Sequence, residues 1–237
     1  MNENFNEVIL TSGRSTKNVT RKGYVIYRSC CPNSSFVHCV LQWMEAKQIA
    51  IVPLFLGFSD DGREMISFLE GTSPPDLGDF NESQLIEASK IIRLLHDVMS
   101  DFPGCGPDQT ICHNDLSPCN FMFMNELPYA VFDWDAAGIG NPLDDVAYAV
   151  WMWCNIGDVL EDGDLADLSR KIRIILEAYG LERKQWYFLP TYIYRQMQRV
   201  AKSLKAANNF DGQQWAEECE RQLKVYENKI MNIVLEQ

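Results

Sequence analysis

The chain has 237 residues, of which 46% are hydrophobic and 23% charged, and these ordinary globular values exclude a disordered protein. It has 21 Lys and Arg against 33 Asp and Glu, and this net charge of −12 argues against bulk binding to nucleic acid or anionic membranes. Residues 1–58 carry six basic and three acidic side chains, so the remainder carries a charge of −15. This split favours an anion at one end of the chain and a cation at the other.

The termini and the cysteines indicate the compartment. The start, MNENFNEVIL, lacks the segments of a signal peptide, and the longest apolar run, 146–154, is too short to span a bilayer. We therefore expect a cytoplasmic protein that binds no membrane. We also expect a monomer or a weak dimer. The eight cysteines show no C-x-x-C spacing, so no structural zinc site is predicted, and we expect reduced, mostly buried thiols.

The first 70 residues are predicted to form short strands and one helix. Strands are indicated by β-branched and aromatic residues at 7–10, 23–28, 51–58 and 64–69. Apolar residues at helical spacing predict a helix over 36–46. The segment 70–75, Glu-Gly-Thr-Ser-Pro-Pro, is the best linker. We therefore predict a first lobe of residues 1–70 and a second lobe of residues 71–237.

Helices dominate the predicted second lobe. Asn81 and Gln84 form a capping-box pattern, which begins a helix that runs to about Ser100. Three more helices are predicted at 165–179, 186–207 and 213–234. The apolar runs 121–124 and 129–132 flank Asn-Glu-Leu-Pro, which predicts a β-hairpin. The fold class is therefore α+β, with a ligand site expected in the cleft between the lobes.

Polar residues border both ends of this hairpin. Asp115 precedes it, Asn120 follows Asp115 by five residues, and Asp133 comes directly after the second apolar run. A carboxylate in a tight loop can accept a hydroxyl proton, and an Asn and an Asp across a hairpin can chelate Mg²⁺. Phosphoryl transfer needs these groups together, because its catalysis is mostly positioning and charge neutralisation.

The spacing H-x-D-x-x-x-x-N, followed by an apolar strand that ends in Asp, resembles a kinase catalytic loop. The continuation from Asp133, DWDAAGIGNPLDDVA, resembles the aminoglycoside phosphotransferase and choline kinase family. Protein kinases differ, since they have Arg in place of Asn114 and Phe-Gly after the Asp. The resemblance covers roughly residues 7–150. It implies a bilobal, protein-kinase-like fold that uses ATP or GTP with Mg²⁺.

The resemblance also implies the roles of individual residues. Asp115 is the expected catalytic base, and Asn120 and Asp133 are the expected Mg²⁺ ligands. His113 is expected to hold the catalytic loop without acid–base work. Asp145 is expected to brace that loop or to cap the next helix.

Five residues are expected to bind the nucleotide. Arg28 stands where the family has its phosphate-binding strand Lys. Ser15 and Thr16 lie in the segment that is similar to the family's phosphate-covering loop. Phe68 and Leu69 are expected to form the hinge backbone that pairs with the purine.

The acidic partner of the family's strand Lys has no counterpart at the matching place. Counting back from Trp43, that Glu would fall near Val37 or His38, and neither is acidic. Arg28 nevertheless stays charged and can bind phosphate in a forked geometry. His38 and His96 are read as ordinary helix residues.

Two functional hypotheses follow. The first is a small-molecule kinase whose acceptor is a cationic hydroxyl compound, because residues 132–168 contain nine acidic and no basic residues. An aminoglycoside is the leading acceptor, ahead of choline-like and other amino-alcohols. The alternative is a catalytically weak binding or immunity module on the kinase fold, suggested by the missing Lys–Glu pair. A protein kinase is disfavoured, because the helical C-terminal half leaves no evident activation segment.

Overall fold

The computed structural model describes residues 7–10, 19–157 and 164–236. The N-terminal strands are β1 (Val8–Ile9), β2 (Thr20–Lys22), β3 (Val25–Arg28), β4 (Phe55–Phe58) and β5 (Glu64–Ser67). They form one antiparallel sheet in the order β1-β2-β3-β5-β4. One helix, α1 (Ser34–Ala46), packs against β4. This small sheet beside a larger helical part confirms the predicted α+β class.

Strand β4 is shorter than its apolar run predicts. It begins at Phe55 rather than Ile51, and Pro53 between them has no N–H for a strand ladder. The carbonyl of Ile51 instead accepts the backbone N–H of Val131 at 2.8 Å. This bond ties the sheet region to the helical part of the chain.

The linker after β5 is fastened to the second half of the chain. Thr72 exchanges two backbone hydrogen bonds with Phe123, at 3.1 and 2.7 Å. Gly71 has a φ of +123°, and a Cβ there would lie 2.4 Å from the carbonyl oxygen of Phe123. Only glycine therefore fits at this position. The boundary between lobes 1–70 and 71–237 falls in this segment and stays a prediction.

Among the described residues, six helices follow the linker. They are α2 (Glu82–Met99), α3 (Pro142–Trp153), α4 (Leu165–Tyr179), α5 (Arg183–Trp186), α6 (Leu189–Ala206) and α7 (Phe210–Leu235). The capping box at the start of α2 is confirmed, since the side chains of Asn81 and Gln84 each accept the other's backbone N–H at 3.0 Å. The predicted helix 186–207 corresponds to α6, which begins at Leu189 and carries Pro190 in its first turn, where the missing N–H of proline is tolerated.

Two short antiparallel pairs lie between α2 and α3. Strands β7 (Phe121–Met124) and β8 (Leu127–Val131) form the predicted hairpin. Strands β6 (Thr110–Cys112) and β9 (Gly138–Gly140) form a second pair, which was not predicted. Three-residue strands carry too little pattern to be read from a sequence. Together the two pairs fix both ends of the segment that carries the polar residues.

The helices build most of the hydrophobic core, and Trp151 and Trp153 are buried in it, as expected. Within the described part of the chain, no helix is both long and apolar enough to cross a bilayer. All eight cysteines fall in that part, and none of them forms a disulfide. The expectation that most would be buried was wrong, because only Cys112, Cys154 and Cys219 are; the other five are reached by solvent.

Candidate active site

The predicted catalytic loop, residues 113–120, is held in place by one buried carboxylate. Asp145, on α3, accepts the backbone N–H of His113 at 2.7 Å and that of Asn114 at 2.8 Å. His96 approaches the same carboxylate at 3.1 Å. Burial would raise the pKa of Asp145, but the bond from His96 and these backbone donors hold it below its ordinary value. Asp145 therefore braces the loop as an anion, which confirms the role expected of it.

His96 is more than an ordinary helix residue. It is 4% exposed, and its Nδ1 lies 2.8 Å from the hydroxyl of Tyr179 while its Nε2 faces Asp145. It therefore links α2 and α4 to the acid that holds the catalytic loop. The sequence expectation missed this link, because both partners lie far away along the chain.

His113 connects the catalytic loop to the end of the β7–β8 hairpin. Its Nδ1 accepts the backbone N–H of Asp115 at 3.2 Å, and its Nε2 lies 2.9 Å from the carbonyl oxygen of Phe132. A carbonyl only accepts, so Nε2 is the donor in this contact. This geometry matches the structural role expected of His113.

Asp115 has one engaged and one open carboxylate oxygen. Its Oδ1 accepts the hydroxyl of Tyr148, on α3, at 2.7 Å. No described residue bonds its Oδ2. Burial and the neighbouring carboxylate raise the pKa of Tyr148 well above its usual range, so the phenol remains a donor. Tyr148 was not predicted, although it follows Asp145 by three residues and so lies on the same face of α3.

Asn120 and Asp133 lie at the open end of the hairpin, where the backbone of Asn120 bonds that of Phe132, the neighbour of Asp133. The side-chain Nδ2 of Asn120 donates to the backbone carbonyl of Asp115 at 2.8 Å. The backbone carbonyl of Asn120 accepts the N–H of Phe132 at 3.0 Å. Asp133 follows Phe132 directly and adopts a left-handed φ of +64°. The structure therefore brings the three predicted catalytic and metal-binding residues into one place.

Negative charge accumulates around Asp133. Burial and the neighbouring Asp135 raise its pKa, and Asp115 adds to the shift, whereas His113 and Arg28 oppose it. A bound cation would relieve this repulsion. Among the described residues, no three His, Cys, Asp or Glu side chains gather tightly enough to hold a metal ion. Asn120 and Asp133 still fit Mg²⁺, because it commonly takes one or two carboxylates and completes its shell with phosphates and water.

Arg28 ends β3 and reaches across to these carboxylates. Its Nη2 donates to Asp135 Oδ1 at 2.7 Å, and its Nη1 lies 3.8 Å from Asp133 Oδ1. Its Nε lies 2.6 Å from Glu64 Oε1, as a close ion pair. Burial works against the charge, but Asp135 and Glu64 outweigh it and raise the pKa of Arg28. The charged guanidinium therefore connects the sheet to residues 133–137, the predicted catalytic segment.

Glu64 is an acidic partner of Arg28, supplied by a strand instead of the helix. The register of the sheet pairs Arg28 on β3 with Glu64 on β5. The helix position does lack an acid, as the sequence indicates, but His38 on α1 lies 2.5 Å from Glu64 Oε2. The reading of His38 as an ordinary helix residue was therefore wrong. Strand register, which the sequence does not reveal, brings the three side chains together.

The remaining nucleotide-binding predictions are placed only in part. Ser15 and Thr16 lie outside the described residues. Phe68 and Leu69 lie between β5 and the linker, and both are partly buried. The N–H of Phe68 donates to the carbonyl of Tyr24 at 2.8 Å, so it is already used. A purine would therefore meet the carbonyl of Phe68 rather than its N–H.

Helix α6 brings two arginines near the catalytic loop. Arg199 donates to the carbonyl of Asn114 at 2.6 Å, and its guanidinium carbon lies 5.9 Å from the ring centre of Tyr148. Arg195 bonds Asp144. The sequence did not single out either arginine, because α6 is distant in the chain. The mouth of the site therefore carries both signs of charge.

A match to a known family model identifies the class of this protein. The family model described as "Phosphotransferase enzyme family" matches residues 53–187, which is more than half of the chain. The chain belongs to this family, as the sequence resemblance indicates. A curated relative, the trifolitoxin immunity protein of Rhizobium leguminosarum bv. trifolii, is 32% identical over an alignment of 200 residues, and the match covers 76% of this chain and 76% of that protein.

Solved structures share the fold at low sequence identity. Amicoumacin kinase hAmiN, in complex with AMP-PNP, Ca²⁺ and Ami, matches with a TM-score of 0.68 at 12% identity, over 91% of this chain and 88% of the other. A choline/ethanolamine kinase family protein from Mesorhizobium loti matches at 0.62 and 14%, over 98% and 93%. The streptomycin-ATP-APH(2")-IIa ternary complex matches at 0.56 and 11%, over 91% and 93%. These matches confirm the bilobal kinase-like fold.

Proposed function

We propose that this protein transfers the γ-phosphate of ATP or GTP, bound with Mg²⁺, to a hydroxyl group of a small acceptor. The observation that supports this most is the convergence of the two ends of the hairpin. Asn120 holds the loop of Asp115 with its amide and lies beside Asp133 through its backbone. The proposed proton acceptor, Asp115, thus lies near the proposed metal ligands, Asn120 and Asp133. Phosphoryl transfer requires such groups to lie together.

Asp115 is the proton acceptor in this proposal. Tyr148 fixes one carboxylate oxygen, so the other is aimed at the acceptor hydroxyl. The carboxylate orients that hydroxyl and takes its proton as the oxygen attacks phosphorus. Positioned proton transfer of this kind contributes roughly 10²–10⁴-fold in rate. His113 and Asp145 keep the loop in place and take no proton themselves.

Arg28, Asn120 and Asp133 form the phosphate side of the proposed site. The guanidinium of Arg28 can hold two phosphate oxygens in a fork once it leaves Asp135. Asn120 and Asp133 would hold the Mg²⁺, which when bound neutralises charge on the phosphates. Phe68 and Leu69 would bind the purine through backbone groups at the linker.

The acceptor is proposed to be cationic, with an aminoglycoside first and amino-alcohols next. Support comes from the net charge of −12 and from the family, one of whose solved structures contains streptomycin. The described acids near the loop already have partners, because Asp144 bonds Arg195 and Gln196 and Asp145 holds the loop. The preference therefore rests on the long-range field of the whole protein.

Transfer from labelled ATP and GTP to a panel of aminoglycosides and amino-alcohols tests this function. The expected result is labelled product with at least one acceptor, dependent on Mg²⁺ and absent with Asp115→Asn. Nucleotide binding without transfer to any member of the panel would contradict the proposed acceptor class. The absence of nucleotide binding as well would contradict the kinase proposal as a whole.

A non-catalytic immunity module is the second candidate, and the 32% identical immunity protein favours it. Such a module would bind a toxic small molecule without turning it over. Ligand binding to the native state raises stability by RT ln(1 + [L]/Kd), so thermal-shift titrations separate the candidates. A shift with ATP·Mg²⁺ supports the kinase, whereas a shift with an aminoglycoside alone supports the module.

A further inference from the structure

We infer that Glu64 and His38 position Arg28, in place of the helix carboxylate that the family pattern leads one to expect. The inference rests on the proposed function for its consequence, which is nucleotide affinity. Its structural basis is the contact of Arg28 on β3 with Glu64 on β5, and of Glu64 with His38 on α1. No sequence motif predicted these contacts.

The three groups are in direct contact and are buried together. Glu64 is 0% exposed, while Arg28 and His38 are each 8% exposed. One oxygen of Glu64 faces Arg28 Nε at 2.6 Å, and the other faces His38 Nε2 at 2.5 Å. Glu64 is therefore a shared carboxylate, with an ion pair to Arg28 at Oε1 that lacks hydrogen-bond geometry and a hydrogen bond to His38 at Oε2. A buried carboxylate needs such partners, because an unpaired charge away from water is costly.

The contact with Glu64 orients Arg28 toward the catalytic segment. Glu64 lies against Nε of Arg28, so Nη1 and Nη2 remain on the side of Asp133 and Asp135. These nitrogens form the fork that would meet phosphate oxygens. A lysine has no equivalent of Nε, so it could not hold Glu64 and phosphate with separate groups.

His38 fixes the far side of Glu64 and is itself held by packing. Its ring stacks on Phe55 at 3.7 Å between centres and 14° between planes, and it meets the edge of Phe58 at 5.5 Å. A ring held on two sides cannot turn freely. His38 therefore presents Nε2 to Glu64 at a set distance from the β4 strand.

Helix α1 reaches the site at a second point. Asn33, just before the helix, donates to the carbonyl of Asp135 at 3.0 Å and to that of Ala137 at 2.9 Å. Through Asn33, the helix region therefore contacts the backbone of the predicted catalytic segment. Through His38, which bonds Glu64, the helix is also linked to Arg28. The position of α1 and the position of the guanidinium are coupled through these contacts.

The alternative is a purely structural ion pair, and a set of matched variants separates the two. His38→Leu removes the donor, and His38→Gln keeps an N–H at a similar reach. Glu64→Gln keeps the shape of the side chain and removes its charge. Cys39→Ala, at the next and exposed position of α1, is the control. The readouts are the Kd of ATP·Mg²⁺, the KM values for ATP and acceptor, and the ¹⁵Nε resonance of Arg28 without ligand.

We expect His38→Leu and Glu64→Gln each to weaken ATP·Mg²⁺ binding about tenfold, with the acceptor KM unchanged. His38→Gln should recover most of the affinity, and Cys39→Ala should equal wild type. In the Glu64→Gln background, His38→Leu should have no additional effect, because the two residues act in series. Fully additive losses, or wild-type affinity in His38→Leu, would overturn the inference.

The resonance of Arg28 separates this inference from the proposed function. A shift or broadening in His38→Leu, absent in Cys39→Ala, supports the positioning role even if wild type binds no nucleotide. In that case the kinase proposal fails and the inference stands. An unchanged resonance in both His38→Leu and Glu64→Gln overturns the inference, whatever the nucleotide result. Unfolding midpoints of all variants exclude loss of the fold as the cause.

Discussion

The hydroxyl of Tyr148 donates a hydrogen bond of 2.7 Å to Oδ1 of Asp115, from one helical turn beyond the acid that holds the catalytic loop. Helix α3 thus controls Asp115 twice, through the backbone of its loop and through its carboxylate. This arrangement leaves a single carboxylate oxygen for the acceptor. The geometry of the proposed base is therefore set by residues that the catalytic-loop motif does not contain.

Tyr148→Phe removes this hydrogen bond and leaves the ring in place. A hydrogen bond to a charged group contributes about 1.5–3 kcal/mol, so we expect kcat to fall at least about tenfold. The KM for ATP should not change, because Tyr148 lies on the acceptor side. Steady-state kinetics with a working acceptor measure both values. A kcat equal to that of wild type would mean that Tyr148 does not orient the base.

Asp145→Ala should destabilise the fold, because it leaves two buried backbone donors and His96 without their acceptor. The expected loss is about 3–5 kcal/mol in the free energy of unfolding, measured with urea. The folded-state pKa of Asp145 is lowered, so its stabilisation is present above the unfolded pKa and is lost as pH falls through the folded pKa. Wild type should therefore lose more stability on acidification than the variant, and equal slopes would contradict this.

Gly71→Ala tests the fastening of the linker. A Cβ at this position meets the carbonyl of Phe123, and the φ of +123° is strained for any other residue. We expect a loss of about 1–3 kcal/mol. Gly62→Ala is the matched control, since its φ is +80° but no atom lies within 4 Å of the added Cβ. Equal losses in the two variants would show that contact with Phe123 adds nothing.

Salt tests the proposed acceptor charge. If the field of the acidic protein attracts a cationic acceptor, its KM should rise as salt screens that attraction over about 10 Å at 0.1 M. Steady-state kinetics at several NaCl concentrations measure the effect. An uncharged hydroxyl compound of the panel is the control and should show no such rise. A KM that is flat or falls with salt would remove the charge argument for the acceptor.

Local patterns carried most of what could be predicted. The capping box of Asn81 and Gln84, the β7–β8 hairpin and the spacing of Asp115, Asn120 and Asp133 all depend on nearby residues. The structure forms the first two and brings the last three together. Such features follow from helical period, strand alternation and turn residues, which a sequence displays directly.

Contacts between distant segments were not predictable. Glu64 meets Arg28 only because β3 and β5 pair in one particular register, and a slip of one residue would turn Glu64 to the other face. Arg199 reaches the catalytic loop from α6, more than eighty residues further along the chain. These contacts depend on how elements pack, and single-sequence patterns do not encode that.

Asp115→Asn gives the most direct test of the central claim that this chain is a phosphotransferase with Asp115 as its base. The variant keeps the shape of the side chain and removes the proton acceptor. We predict that the Kd of ATP·Mg²⁺ stays within about twofold of wild type while phosphate transfer falls by about 10²-fold or more. Transfer at the wild-type rate in a variant that still binds nucleotide would contradict the account.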